Sequence, residues 1–167
     1  MPDIIPTFAF TTKTGGRALQ LKNKAFINYN TQKTEVNTLW DTGATGTCIS
    51  KEIATKLGLI PTGKKFIQTP SGRSQVNTYL INITLPNNVN INDVEVCDSE
   101  IGSQGIDMLV GMDIITLGDF ALSYMNNTTV FSFRIPPREQ IDYVKKLNVE
   151  KLIGPKHGKG KGKKKKK

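Results

Sequence analysis

The chain has 167 residues, enough for one domain with an appendage, and its formal net charge of +9 would by itself point to nucleic acid. Eight lysines of that surplus lie in residues 156–167, KHGKGKGKKKKK; removing them leaves +1 for residues 1–155, so the folded part is close to neutral. The single histidine, His157, sits in the same stretch, which leaves a Ser-His-Asp or Cys-His site without a base and a His/Cys zinc site without ligands.

In chain order the pattern is one of many short strands. TFAFTT (7–12) puts Phe8 and Phe10 on one face. LQLKNKAFINYN (19–30) and KTEVNTLW (33–40) follow, joined by a turn at NTQK. SKEIATKLGL (50–59) is the first helix expected, with Ser50 as N-cap, Ile53, Ala54 and Leu57 on one face, and Gly58 at the end. KKFIQT (64–69) and SQVNTYLINITL (74–85) flank PSGR, whose Pro70 and Gly72 mark a tight hairpin tip. Tyr79, Ile81, Ile83 and Leu85 alternate as one buried face. Beyond them Val89 and Ile91 run in one phase and Val94 and Val96 in the other, so a bulge or turn is expected at Asn92-Asp93.

IDMLVGMDIITLGDFAL (106–122) reads as a short apolar strand, a glycine and a brief helix capped by Asp113 and ended by Gly118. FALSY and TTVFSFRI close the sheet around a turn at MNN. PPREQIDYVKKLNVEKLI reads as a break followed by an amphipathic helix over 138–152 carrying Ile141, Val144 and Leu147. The expected organisation is a core domain over 1–135, a helical extension over 136–155 and a disordered tail over 156–167. No run has membrane-span length, MPDIIPTFAFTTK is not a signal peptide, and Cys48 and Cys97 are expected as reduced, packed thiols; together these point to the cytoplasm.

The stretch that carries chemistry is TLWDTGATGTCIS. It places a carboxylate, a hydroxyl and a glycine at the end of an apolar strand. A chance Asp-Thr-Gly in a chain this long is on the order of a few per cent from average residue usage. The order of features adds to it: the apolar strand before and alanine after, FIQTPSGRSQVNTYL further on, then DMLVGMDII, within a length (residue 7 to about 135) close to one subunit of the family in question. In these respects the chain resembles the retropepsin-like, retroviral-type aspartic proteases.

That resemblance implies an all-β, closed-barrel fold with one or two short helices, acting as a homodimer. It implies Asp41 as the catalytic carboxylate, with Thr42, Gly43 and Ala44 supporting the active-site loop. Pro70, Ser71, Gly72 and Arg73 would form a flap over a polypeptide substrate, and Val110 and Gly111 would line its pocket. Neither metal nor cofactor is implied. The chemistry fits the residue type: two carboxylates held close together share one proton, so one can take a proton from water while the other donates to the scissile carbonyl. One Asp-Thr-Gly per chain then calls for a two-fold pair. The chain departs from the retroviral pattern at Thr45 and Gly46, where acids are common, at Met112, where a basic residue is common, and at a flap tip poorer in glycine.

Other readings attach to the same residues. Asp107 and Asp113 are expected to be structural, at a strand end and a helix cap. The protease fold could serve as a non-catalytic dimerisation or peptide-binding platform. The lysine tail could give weak, salt-sensitive contact with nucleic acid or another anionic surface, without aromatic residues for base stacking.

Overall fold

Two-residue turns set most of the hairpins. The computed structural model describes residues 8–69 and 72–153; Pro70, Ser71 and the lysine tail with His157 lie outside the described residues. The first hairpin joins β2 (Leu21–Tyr29) to β3 (Gln32–Trp40), with Tyr29 opposite Gln32 and Asn30 in the left-handed region at φ 52°. Asparagine tolerates that conformation better than most residues, so it sits where the chain must reverse. The last hairpin repeats the device: Asn126 and Asn127, at φ 51° and 55°, link β9 (Asp119–Met125) to β10 (Thr128–Ile135). Met125 therefore belongs to the strand and not to the turn.

The long strand β6 (Gly72–Leu85) carries the buried row Tyr79, Ile81, Ile83 and Leu85 as expected. It pairs with β5 (Gly63–Thr69), with β7 (Val89–Ser99) and, through Phe26 to Asn28, with β2. The order β2-β3-β8-β4-β7-β6 thus closes on itself through the β2–β6 pairing, and β5 flanks β6. This is the closed, mostly β barrel that the resemblance implies. The bulge falls where the phase slip placed it: Ile81 opposes Val94 and Ile83 opposes Ile91, leaving Asn92 and Asp93 together opposite the single residue Asn82, with Asp93 at φ 54°.

Two short strands cross the middle. β4 (Cys48–Ser50) and β8 (Met108–Val110) are antiparallel to each other, while β8 runs parallel to β3 and β4 parallel to β7. Cys48 and Cys97 face each other in the β4–β7 register as free, buried thiols. The hydrogen bond to Cys97, together with burial, pushes the Cys48 thiol up and holds it protonated.

Helix α1 (Lys51–Lys56) follows β4 directly; Ser50 Oγ accepts the Ile53 N–H, and Ile53, Ala54 and Leu57 are buried. Helix α2 (Met112–Ile115) differs from expectation. Its N-cap is Gly111, not Asp113, because Asp113 turns its carboxylate back onto another loop; its C-cap is Thr116, two residues before Gly118. Gly118 is instead fixed by close approach, since a Cβ there would overlap the Arg134 carbonyl oxygen.

A second sheet of three strands, in the order β1-β10-β9 with β1 spanning Phe8–Gly15, packs its aromatic row on the barrel. Trp40 is buried among Phe10, Phe120, Phe131 and Phe133, with ring centroids 5.1 to 5.8 Å away. Such pairs contribute about 1 kcal/mol each beyond burial. The indole N–H donates to Asn23 Oδ1 at 2.5 Å, which satisfies its one polar atom.

After the barrel, Asp119 holds the next segment: its Oδ2 accepts from Arg134 Nε at 2.6 Å and from the Arg138 N–H at 2.8 Å. Helix α3 spans Tyr143–Ile153, later than the sequence suggested, and Ile141 precedes it. Its apolar residues do not form one stripe, and Tyr143, Val144, Leu147 and Val149 are all exposed. No helix among the described residues is long and apolar enough to cross a membrane.

Candidate active site

The site is built where β3 stops. The Asp41 N–H donates to the Val110 carbonyl at 3.0 Å, which extends the parallel β3–β8 pairing by one residue. The chain then turns: the Ala44 N–H donates to the Asp41 carbonyl at 3.2 Å, and the Gly43 N–H donates to Asp41 Oδ1 at 2.8 Å. The second bond is an Asx-type turn that fixes the carboxylate. It also explains the glycine, since a Cβ on Gly43 would stand 3.1 Å from that same oxygen. Among the described residues, only this N–H reaches the Asp41 carboxylate. Thr42 and Gly43 are exposed, and Asp41 is half-buried.

The loop is clamped from below. The Met112 N–H donates to the Ala44 carbonyl at 2.9 Å. Gly111 passes so close beneath that a Cβ would meet the Gly46 carbonyl at 2.6 Å and the Ala44 oxygen at 3.1 Å. Thr47, fully buried, donates its Oγ1 hydrogen to Asp113 Oδ1 at 2.7 Å, donates its N–H to Asp113 Oδ2 at 2.8 Å, and accepts the Gly111 N–H at 3.1 Å. Thr47 is the residue supporting this loop that the sequence reading missed. Its partner lies 66 positions away, so no local pattern marks it.

The other aspartates have structural roles. Asp107 precedes β8 rather than ending a strand. Its Oδ2 accepts the Asn37 N–H and amide at 2.7 and 3.0 Å, and its carbonyl accepts the Ser50 N–H. Asp113 serves Thr47. Neither reaches Asp41.

Val110 and Gly111, expected at the substrate pocket, lie beneath the loop: Val110 is fully buried, and both act here through their backbone. Of the flap residues, Gly72 and Arg73 open β6, opposite Thr69 and Gln68 on β5, and the Arg73 guanidinium lies 4.2 Å over the Phe66 ring. An open cleft of about 520 Å³ lies beside the loop, walled by Thr45, Gly46, Lys65, Glu95, Asp113 and Leu117. Asp41 is not among its walls, so this cleft is not where the chemistry would occur. Among the described residues, no group of His, Cys, Asp and Glu is gathered to hold a metal ion.

The arrangement is a half-buried carboxylate on a hydrogen-bonded turn, at the junction of parallel strands and a short helix. A family described as "gag-polyprotein putative aspartyl protease" matches residues 27–116, which contain every part of this junction. The chain belongs to that family. Solved structures agree in fold. The retropepsin-like aspartic protease from Rickettsia conorii is 17% identical, covers 78% of this chain and 97% of its own, and superposes with a TM-score of 0.52. The simian foamy virus protease is 22% identical over 57% of this chain and 92% of its own, at a TM-score of 0.42. The EIAV protease, solved with an inhibitor, is 19% identical over 58% of this chain and 86% of its own, at 0.46. The likeness in fold rests on the Rickettsia structure. No curated protein matches the chain.

Proposed function

We propose that this retropepsin-like chain is an aspartic endopeptidase that works as a two-fold dimer, each copy contributing Asp41. The observation that carries the reading is the contrast among its aspartates. Asp107 and Asp113 direct their carboxylates at backbone and hydroxyl donors, whereas Asp41 is oriented by one N–H at the solvent side of the loop. A lone carboxylate so placed does nothing for folding that an asparagine would not do. Two of them meeting across an axis would share a proton and activate a water molecule between them.

Thr42 is exposed at the same turn, as a residue bracing the opposite loop would be. The β5–β6 hairpin, with Gly72 and Arg73 near its tip, would cover an extended polypeptide that pairs with it through backbone hydrogen bonds. The paired, reduced thiols fit a cytoplasmic setting.

The test is peptide hydrolysis by the wild-type chain and by Asp41→Asn, with and without a pepstatin-type inhibitor. The reading expects turnover that the inhibitor blocks and the substitution abolishes. Unchanged cleavage by the variant overturns it. Peptide binding without turnover at both acid and neutral pH would favour a non-catalytic platform instead.

A further inference from the structure

We infer that Cys48 and Cys97 are a reversible oxidation site, closing to a disulfide within the chain, and that this bond controls the active-site loop that Thr47 anchors. The bond and its effect on the loop stand on the geometry of the pair; the effect on turnover rests on the proposed endopeptidase reading.

Register brings the sulfurs together. Cys48 opens β4 and lies directly opposite Cys97 in the parallel β4–β7 pairing. Residues opposite each other in a sheet send their side chains to the same side. Neighbouring strands lie about 4.8 Å apart, within the Cα separation of roughly 4.4 to 6.8 Å that a disulfide spans. The two thiols are already joined by a hydrogen bond. Linking them leaves the strand pairing as it is.

Their surroundings let a small oxidant in. Both thiols are free and buried, yet they lie outside the main core. With Val76 they form a small cluster of their own, against which Ile67, Ile101 and Leu109 pack. Ile67 and Val76 belong to the β5–β6 hairpin, and as far as Asn77 its two strands pair only with each other. Lifting that hairpin uncovers the sulfurs without opening the aromatic core.

The thiols are also unequal. Cys48 stays protonated and gives its hydrogen bond to Cys97. That bond, helped by the charge of Lys65, favours the Cys97 thiolate against burial and the charge of Asp98. A thiolate beside a thiol reacts with hydrogen peroxide in two steps. The Cys97 sulfur attacks one peroxide oxygen, the O–O bond breaks, and hydroxide leaves and takes up the proton that Cys97 released, giving a sulfenic acid and water. The Cys48 sulfur then attacks the Cys97 sulfur, the S–O bond breaks, and the hydroxyl leaves with the Cys48 proton as a second water. The sulfurs are oxidised and the peroxide oxygens reduced.

Thr47 connects the pair to the site. It precedes Cys48, its carbonyl accepts the Cys97 N–H at 3.4 Å, and its own N–H and hydroxyl hold Asp113. Leu109, opposite Cys48 on β8, precedes Val110, whose carbonyl accepts the Asp41 N–H. A covalent bond in place of the hydrogen bond between the sulfurs draws Cys48 toward β7, and the Thr47 clasp moves with it.

The experiment treats the full, reduced chain with hydrogen peroxide under native conditions, then alkylates it in denaturant. Both cysteines should escape alkylation, peptide mapping should find them in one disulfide within the chain, and dithiothreitol should restore them. Methionine sulfoxide, which needs its own reductases, does not share that reversal. In the oxidised chain the Thr47 and Gly111 amides should exchange faster on the order of tenfold, and peptide turnover should fall on the order of a hundredfold. Cys97→Ser should show neither response, and the wild-type data decide alone if serine there impairs folding. Cysteines that remain open to alkylation, a bond between chains, or a sulfinic acid at Cys97 overturns the inference. So does an intrachain bond that leaves the Thr47 and Gly111 amides unchanged, or one that leaves an active chain as active as before. The two readings fail separately: a chain that cleaves no peptide in either redox state overturns the proposed activity, while thiol mapping and amide exchange still decide this inference.

Discussion

Thr47 and Asp113 are joined twice, hydroxyl to Oδ1 at 2.7 Å and backbone N–H to Oδ2 at 2.8 Å, and this pair ties the loop after Asp41 to the start of α2. The same hydroxyl accepts the Gly111 N–H, so one buried side chain satisfies groups on two separate segments. Removing it would leave both the Asp113 carboxylate and an amide short of a partner.

Thr47→Val keeps the shape and deletes the hydroxyl, so it should cost about 2 kcal/mol in urea unfolding, the penalty of stranding buried polar groups. Thr47→Ser retains the hydrogen bonds and should cost less than half as much. Equal stability of wild type and Thr47→Val would show that the clasp is not a structural support.

Gly111 and Gly118 are both set by close approach, but to different parts of the molecule. Gly111→Ala drives a methyl group into the Gly46 carbonyl, directly under the active-site loop. It should lower kcat/KM on the order of a hundredfold, because a displacement of about 1 Å at a catalytic group has that effect. Gly118→Ala meets the Arg134 carbonyl, away from Asp41, and should destabilise by about 3 kcal/mol. Thermal unfolding and peptide kinetics on the two variants separate these outcomes; Gly111→Ala with wild-type kcat/KM would contradict the assignment.

Asp119 governs how the segment after the barrel is held. The Arg138 N–H, the Arg134 guanidinium and the Glu139 N–H hold its carboxyl below the ordinary 3.8. The sign follows: a carboxylate whose pKa is depressed by folding contributes stability above its unfolded value, and that contribution is lost as pH falls through the folded value. The tether should thus persist through mildly acid conditions and release only below pH 3.8. Hydrogen exchange at the Arg138 and Glu139 amides reads this directly. Asp119→Ala, which removes the acceptor, should abolish their protection at neutral pH while leaving β6 and β7 unchanged; retained protection would contradict the account.

The sequence carried the barrel strands well because their signals are local. The Tyr79 to Leu85 alternation, the Asn92-Asp93 phase slip and the Ser50 cap each depend on residues a few positions apart. What it did not carry is long-range. The cap of α2 was misassigned because Asp113 looks like a helix cap in its own neighbourhood, while its real partner is Thr47 on another loop. The pairing of β1 with β10 joins opposite ends of the domain, and no periodicity announces it. Within the site, Asp41 and its glycine were legible as a motif. The clasp around Thr47 was not, since a buried threonine between Gly46 and Cys48 resembles any strand residue.

The most direct test of the central claim is subunit mixing. Wild-type chain is equilibrated with Asp41→Asn chain at a fixed total concentration, and peptide hydrolysis is measured against composition. If each active site takes one Asp41 from each of two copies, activity falls as the square of the wild-type fraction, to about a quarter at equal amounts under random pairing. Activity that falls in simple proportion, to about a half, would mean that a single chain carries the whole site.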